Sequence, residues 1–171
     1  MRRHDSRYEQ LMTRLPRWFR TLLAALPIVA LACSAKSDGP AAPTIESTTF
    51  AVALGVDLTA STRTSTGLYY RDVIVGTGAV AASGNALTVH YAGFLTSGTQ
   101  FDYNIAPQTP YAFTLGNGAV IAGWDQGVPG MRVGGRRQLI IPPSLGYGSA
   151  GRGSIPGNSI LVFTVDLVTV K

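Results

Sequence analysis

The chain is poor in the groups on which most enzymes depend. It has one cysteine, Cys33, so no internal disulfide can form and stability must come from packing. It has two histidines, His4 and His90, and a single buried or catalytic His would need a second ligand or a paired nucleophile that the pattern does not supply. His90 alternates with Val89 and Tyr91 as on a strand, which is a structural position. The longest apolar run, Leu22 to Ala32, falls well short of the roughly 20 residues that a spanning helix requires.

The net charge of +5 suggests a nucleic-acid or membrane-surface partner until the charges are located. Six of the 14 basic residues precede Cys33, namely Arg2, Arg3, Arg7, Arg14, Arg17 and Arg20. Beyond Cys33 there are eight basic and seven acidic residues, so the remaining chain is nearly neutral and no nucleic-acid partner is expected. Arg132, Arg136 and Arg137 could still form a small basic patch, although isolated surface arginines are usually just solvated.

Arg14 to Arg20 followed by the apolar run has the form of an export signal, giving residues 1–32 as a signal peptide. Asp5 and Glu9 are out of character for such a signal, and Met12 makes a more ordinary start than Met1. Cys33 follows small residues at the end of the run and resembles the lipidation site of a bacterial lipoprotein, with Ala30 where Leu is preferred. That resemblance implies a lipid anchor in a membrane at Cys33, and Ser34 after it resembles a signal for sorting to the outer membrane. The expected location is the periplasmic side of that membrane, or otherwise the periplasm or the exterior. Residues 33–43 complete a small, polar, Pro-containing tether. Residues 44–66 form an extension in which Phe50, Val52, Leu54 and Val56 alternate as in a strand, with helix still open for Phe50 to Leu58. It is expected to pack on the core or on a second copy.

Residues 67–171 read as strands separated by turn signals: Leu68 to Val75, Leu87 to Leu95, Thr99 to Tyr103, Tyr111 to Leu115, Gln138 to Ile141 and Ile160 to Val170. Between them, Gly116-Asn117-Gly118 turns the chain, and Val120, Ile121, Trp124 and Val128 recur at helical spacing until Pro129-Gly130. The expected fold is α+β, a curled antiparallel sheet of about five strands wrapped around one short helix of about two to three turns. Gly146-Tyr-Gly-Ser-Ala-Gly151 matches a phosphate-binding pattern, but the Gly- and Pro-rich residues after it cannot open a helix, so it reads as a loop.

Six blocks then carry a resemblance: Val89-His-Tyr-Ala-Gly93, Gly98-Thr-Gln-Phe-Asp102, Val120-Ile-Ala-Gly-Trp124, Gly127-Val-Pro-Gly-Met131, Gly146-Tyr-Gly148 and Leu161-Val-Phe163. In this order and spacing the domain resembles the FKBP-type peptidyl-prolyl cis/trans isomerases over about 105 residues. The resemblance implies isomerisation of X-Pro bonds, with no cofactor and no metal. Proline-containing unfolded or exported polypeptides are the implied partners, with macrolides such as rapamycin as inhibitors. It implies a proline pocket with Trp124 as floor, Tyr91, Phe101 and Phe163 as walls, and Val120, Tyr111 and Ile155 as further substrate contacts. Ile121 would donate its amide, and Tyr147 its hydroxyl, to substrate carbonyls. Asp102, the one acid of the set, either favours the rotated carbonyl through its field or anchors Tyr91 or the following turn. Tyr111 stands where the family has Phe, Arg152 where a His is common, and the flap loop is one residue shorter. No basic residue among Ile105-Ala-Pro107 is placed to orient Asp102. A non-catalytic proline-binding chaperone or adaptor is the rival reading, and a purely structural domain is a third.

Overall fold

The computed structural model describes residues 43–171; the proposed signal, Cys33 and nearly all of the tether lie outside the described residues. In chain order the elements are β1 (Thr62–Arg63), β2 (Tyr69–Ile74), β3 (Ala86–Leu95), β4 (Gln100–Asn104), β5 (Tyr111–Thr114), α1 (Ala122–Gly127), β6 (Arg136–Ile141) and β7 (Leu161–Val170). They make one antiparallel seven-stranded sheet in the order β1-β2-β6-β7-β3-β4, with β5 also on β3. About five strands were expected. The sheet gains the two-residue β1 from the extension, and β4 and β5 take successive stretches of one edge of β3, Tyr91–Phe94 and Ala86–Val89.

Alternation decides which face each strand turns to the helix. Leu87 and Val89 on β3, Leu139 and Ile141 on β6, and Leu161, Phe163, Val165 and Leu167 on β7 join Trp124, Val128 and Met131 in the main core. The run Leu139-Ile140-Ile141 is buried on both faces of β6. Ile140 and Val162 point away from the helix and join Ile45, Tyr69 and Ile160 in a second cluster. Phe50, Leu54, Val56 and Leu58 of the extension cover that cluster, so its apolar residues seat on the chain's own sheet. Its conformation is neither of the regular forms expected: a 3-10 turn at Val52–Leu54 ends at Gly55, which has φ 57°. Gln138 Nε2 donates to Leu54 O at 2.7 Å and Arg71 donates to Gly55 O at 2.9 Å, which holds the turn to β6 and β2.

Helix α1 is shorter than the spacing suggested. Ile121 is extended, with ψ 148°, and caps a helix of six residues. Val120 and Ile121 therefore precede the helix and line its approach. Gly123 and Gly127 let it lie close against β6, because a Cβ at either would come within 2.5 Å of Ile141 or 2.7 Å of Leu139.

Arg132, Arg136 and Arg137 do not form a free basic patch, and they are not simply solvated. Arg136 pairs with Asp166 at 2.6 Å, Arg132 donates to Gly78 O, and Arg137 is buried and paired with Asp72 at 2.7 Å.

Candidate active site

A cavity of about 760 Å³ opens between the helix approach, the concave face of the sheet and the loop after β6. Trp124 lies at its base, only 3% exposed, with its ring edge-to-face against Tyr91 at 5.1 Å and Phe163 at 5.4 Å. Phe101 from β4 meets Phe163 from β7 at 5.5 Å, also edge-to-face. Phe113, two residues beyond Tyr111 on β5, supports the indole from behind at 5.7 Å. Such contacts add about 0.5–1.5 kcal/mol each beyond burial, so the rings form a mutually braced wall.

The structure brings all ten pocket residues read from the sequence to this one cavity. Tyr91, Phe101, Trp124 and Phe163 are the braced rings; Val120 and Ile121 line the helix approach, Tyr111 the β5 side, and Tyr147 and Ile155 the loop after β6. Asp102 completes the lining from β4. Cys33 lies outside the described residues.

The carboxylate of Asp102 is oriented without a basic partner. Tyr91 donates its hydroxyl to Oδ2 at 2.9 Å, and the Tyr103 amide donates to Oδ1 at 2.9 Å. Burial, the bond to Asp102 and the negative fields of Asp102, Tyr111 and Tyr147 together raise the pKa of the Tyr91 phenol well above its ordinary value, making it a weaker acid. The hydroxyl therefore stays a donor at all physiological pH. Because the unfolded chain would lose this proton first, the contribution to stability is complete below about pH 10, the unfolded value, and is lost as pH rises from there through the higher folded value.

Three features go beyond the pocket residues assigned from the sequence, where Arg152 figures only as a departure from the family's flap loop. Asp125 reaches back to accept the Gly116 amide at 2.8 Å and the Gly118 amide at 3.1 Å, which fastens the turn leading into Val120 and Ile121. Both glycines have positive φ, as the turn needs. Arg152, Gly153 and Ser154 add the loop side of the cavity, and the Arg152 guanidinium carbon lies 5.7 Å from the Tyr147 ring centre. Gly93 sits behind the wall, and a Cβ there would lie 2.6 Å from Phe163 Cε1 and 2.8 Å from Phe101 Cζ. Gly93→Ala is therefore expected to push both rings into the cavity, costing about 1–3 kcal/mol in stability. Thermal unfolding and the KM of a proline peptide check this, and an unchanged KM would show that the rings do not move into the site.

Residues 78–168 match the family described as FKBP-type peptidyl-prolyl cis-trans isomerase. The chain is 55% identical over 90 residues to FK506-binding protein 2 of Dictyostelium discoideum, covering 52% of this chain and 68% of that protein. It is 46% identical over 105 residues to the FK506-binding protein of Neisseria meningitidis serogroup B, covering 61% and 96%. Among solved structures it is similar to FkpA from Escherichia coli, with 40% identity and a TM-score of 0.61, covering 66% of this chain and about half, 52%, of FkpA. AtFKBP13 gives the same TM-score at 36% identity, covering 65% and 98%. A family match across more than half of the chain, on a fold whose concave face holds this ring-lined cavity, shows that the chain belongs to the FKBP-type peptidyl-prolyl cis-trans isomerases.

Proposed function

We propose that this isomerase acts on X-Pro bonds of exported polypeptides and assists their folding outside the cytoplasm, with the cavity over Trp124 as its active site. The observation that carries the site is the enclosure of one carboxylate, Asp102, within a wall of rings. Amide resonance separates charge and sets a rotational barrier of roughly 18–20 kcal/mol. Water favours the planar, charge-separated form, whereas an apolar cavity favours it less, so the twisted bond is relatively stabilised inside. Acceleration on the order of 10⁶ requires about 8 kcal/mol of such differential stabilisation.

Each residue then has a distinct task. Trp124, Tyr91, Phe101 and Phe163 exclude water and hold the proline ring. Tyr111, Val120 and Ile155 close its flanks. The Ile121 amide, which has no hydrogen-bond partner among the described residues, donates to a substrate carbonyl, and Tyr147 donates to another. The field of Asp102 favours the rotated carbonyl.

Asp102→Asn removes the charge and keeps the anchor to Tyr91, whose hydroxyl the single amide oxygen still accepts, at the loss of the bond from the Tyr103 amide. We expect kcat to fall about tenfold with KM little changed, equivalent to about 1.4 kcal/mol in the transition state alone. Wild-type kcat in Asp102→Asn would reduce Asp102 to an anchor. The activity itself is tested by exchange spectroscopy on a proline peptide with the full chain, where no rate increase would refute the site.

The relatives' name supports FK506- or rapamycin-type macrolides as competitors for the same cavity. The basic flank, apolar run and small residues before Cys33 support a lipid-anchored protein at the periplasmic face of the outer membrane. Mass measurement of the mature N-terminus tests this: a diacylglyceryl-cysteine at residue 33 is expected, and an unmodified Cys33 would overturn it.

A further inference from the structure

We propose that Arg152 makes this isomerase selective for X-Pro segments that carry an acidic side chain next to the bond, on the loop side of the cavity. The inference rests on the isomerase reading of that cavity and adds to it the chemistry of the substrate flank.

Of the residues lining the cavity, only Asp102 and Arg152 are charged. Asp102 is engaged by Tyr91 and Tyr103. Arg152 is exposed, and among the described residues no carboxylate pairs with it. Its guanidinium rests instead near the face of Tyr147, a ring of the same cavity.

The backbone beneath Arg152 is well defined. Its amide donates to Ile155 O at 2.9 Å, and the Ile155 amide donates back to Arg152 O at 2.9 Å. Ile155 is buried and faces the cavity, which fixes the loop from below. Gly151 and Gly153 flank Arg152 at φ 70° and 56°, and a Cβ at Gly151 would lie 2.3 Å from Ile155 O, so the narrow turn depends on glycine there. A cation is thus held at the rim, ahead of any chain that enters, with no anion of its own. A polypeptide whose proline occupies the cavity lays its neighbouring side chains at that rim, and the complementary group is a carboxylate.

The pairing is solvent-exposed, so the effect is modest and screened by salt. The test uses the full chain and end-capped peptides that differ only in Glu against Gln, placed at either of the two positions before the proline or at the one after it. At low salt we expect kcat/KM for Glu to exceed that for Gln by about threefold at the position that meets Arg152. The ratio should fall to one in about 1 M salt, where screening acts over roughly 3 Å. It should also fall to one in Arg152→Gln and drop below one in Arg152→Glu. A ratio of one at every position in the wild type, or a preference that survives Arg152→Gln, would overturn the proposal. Lack of turnover on every peptide would instead refute the isomerase reading, and the same Glu-to-Gln ratio taken from calorimetric affinities would still decide the role of Arg152.

Discussion

Trp124→Ala is expected to reduce kcat/KM on a proline peptide by about a hundredfold, equivalent to roughly 2.7 kcal/mol. Two effects act together. The proline ring loses the face on which it rests, and the deepened cavity admits water, which restores the solvation that favours the planar amide. The indole also braces Tyr91, Phe113 and Phe163, so stability should fall by about 3–5 kcal/mol. Trp124→Phe separates the two roles. Among the described residues the indole N–H has no hydrogen-bond partner, so replacing it by Phe forfeits no bond there, and the ring keeps a floor in place. Trp124→Phe should remain within about tenfold of wild-type kcat/KM. Rates taken well below the melting temperature of each variant, with folding checked by circular dichroism, decide the matter. A folded Trp124→Ala with near wild-type kcat/KM would remove the floor from the mechanism.

What could be read from the sequence alone follows from how local each signal is. Strands announced themselves by alternation, as in β7, where Leu161, Phe163, Val165 and Leu167 share a face. The cavity residues lie in short blocks whose order and spacing carry the family resemblance, so Tyr91, Asp102, Trp124 and Tyr147 could be named without coordinates. The length of α1 could not, because Val120 and Ile121 continue the helical spacing while Asp125 draws the preceding turn into another path. Gly93 was visible within a motif, yet its role depends on two rings from β4 and β7 that meet only in the folded chain. The extension was ambiguous for the same reason. Its alternation is that of a strand, but its apolar residues answer to the second face of β6 and β7, which only the sheet order creates.

Arg137→Met is expected to have the largest effect on stability among substitutions outside the cavity, about 3 kcal/mol or roughly 10 °C in Tm. Its side chain is only 6% exposed and makes four hydrogen bonds. Nε and one terminal nitrogen hold Asp72 in a fork at 2.7 and 2.9 Å. The other terminal nitrogen donates to Gly127 O at 2.9 Å and Pro129 O at 3.0 Å, at the end of α1. The guanidinium also lies over Tyr70, 4.7 Å from its ring centre. One residue of β6 thus joins β2 to the end of the helix that carries Trp124. Loss of the ion pair alone would cost less, because the Asp72 side chain is 35% exposed and can be rehydrated. The Gly127 carbonyl is buried and has no such recourse without Arg137, and the Pro129 carbonyl is part-buried, so leaving them unpaired is the larger penalty. Asp72→Asn keeps one acceptor for the fork but leaves the buried guanidinium without its counter-charge, and should cost about 2 kcal/mol; adding Asp72→Leu to Arg137→Met should recover only a minor part of the loss, since it does nothing for Gly127 and Pro129. Thermal unfolding of the three variants orders them, and a double variant as stable as wild type would show that the ion pair, not the helix end, is what Arg137 secures.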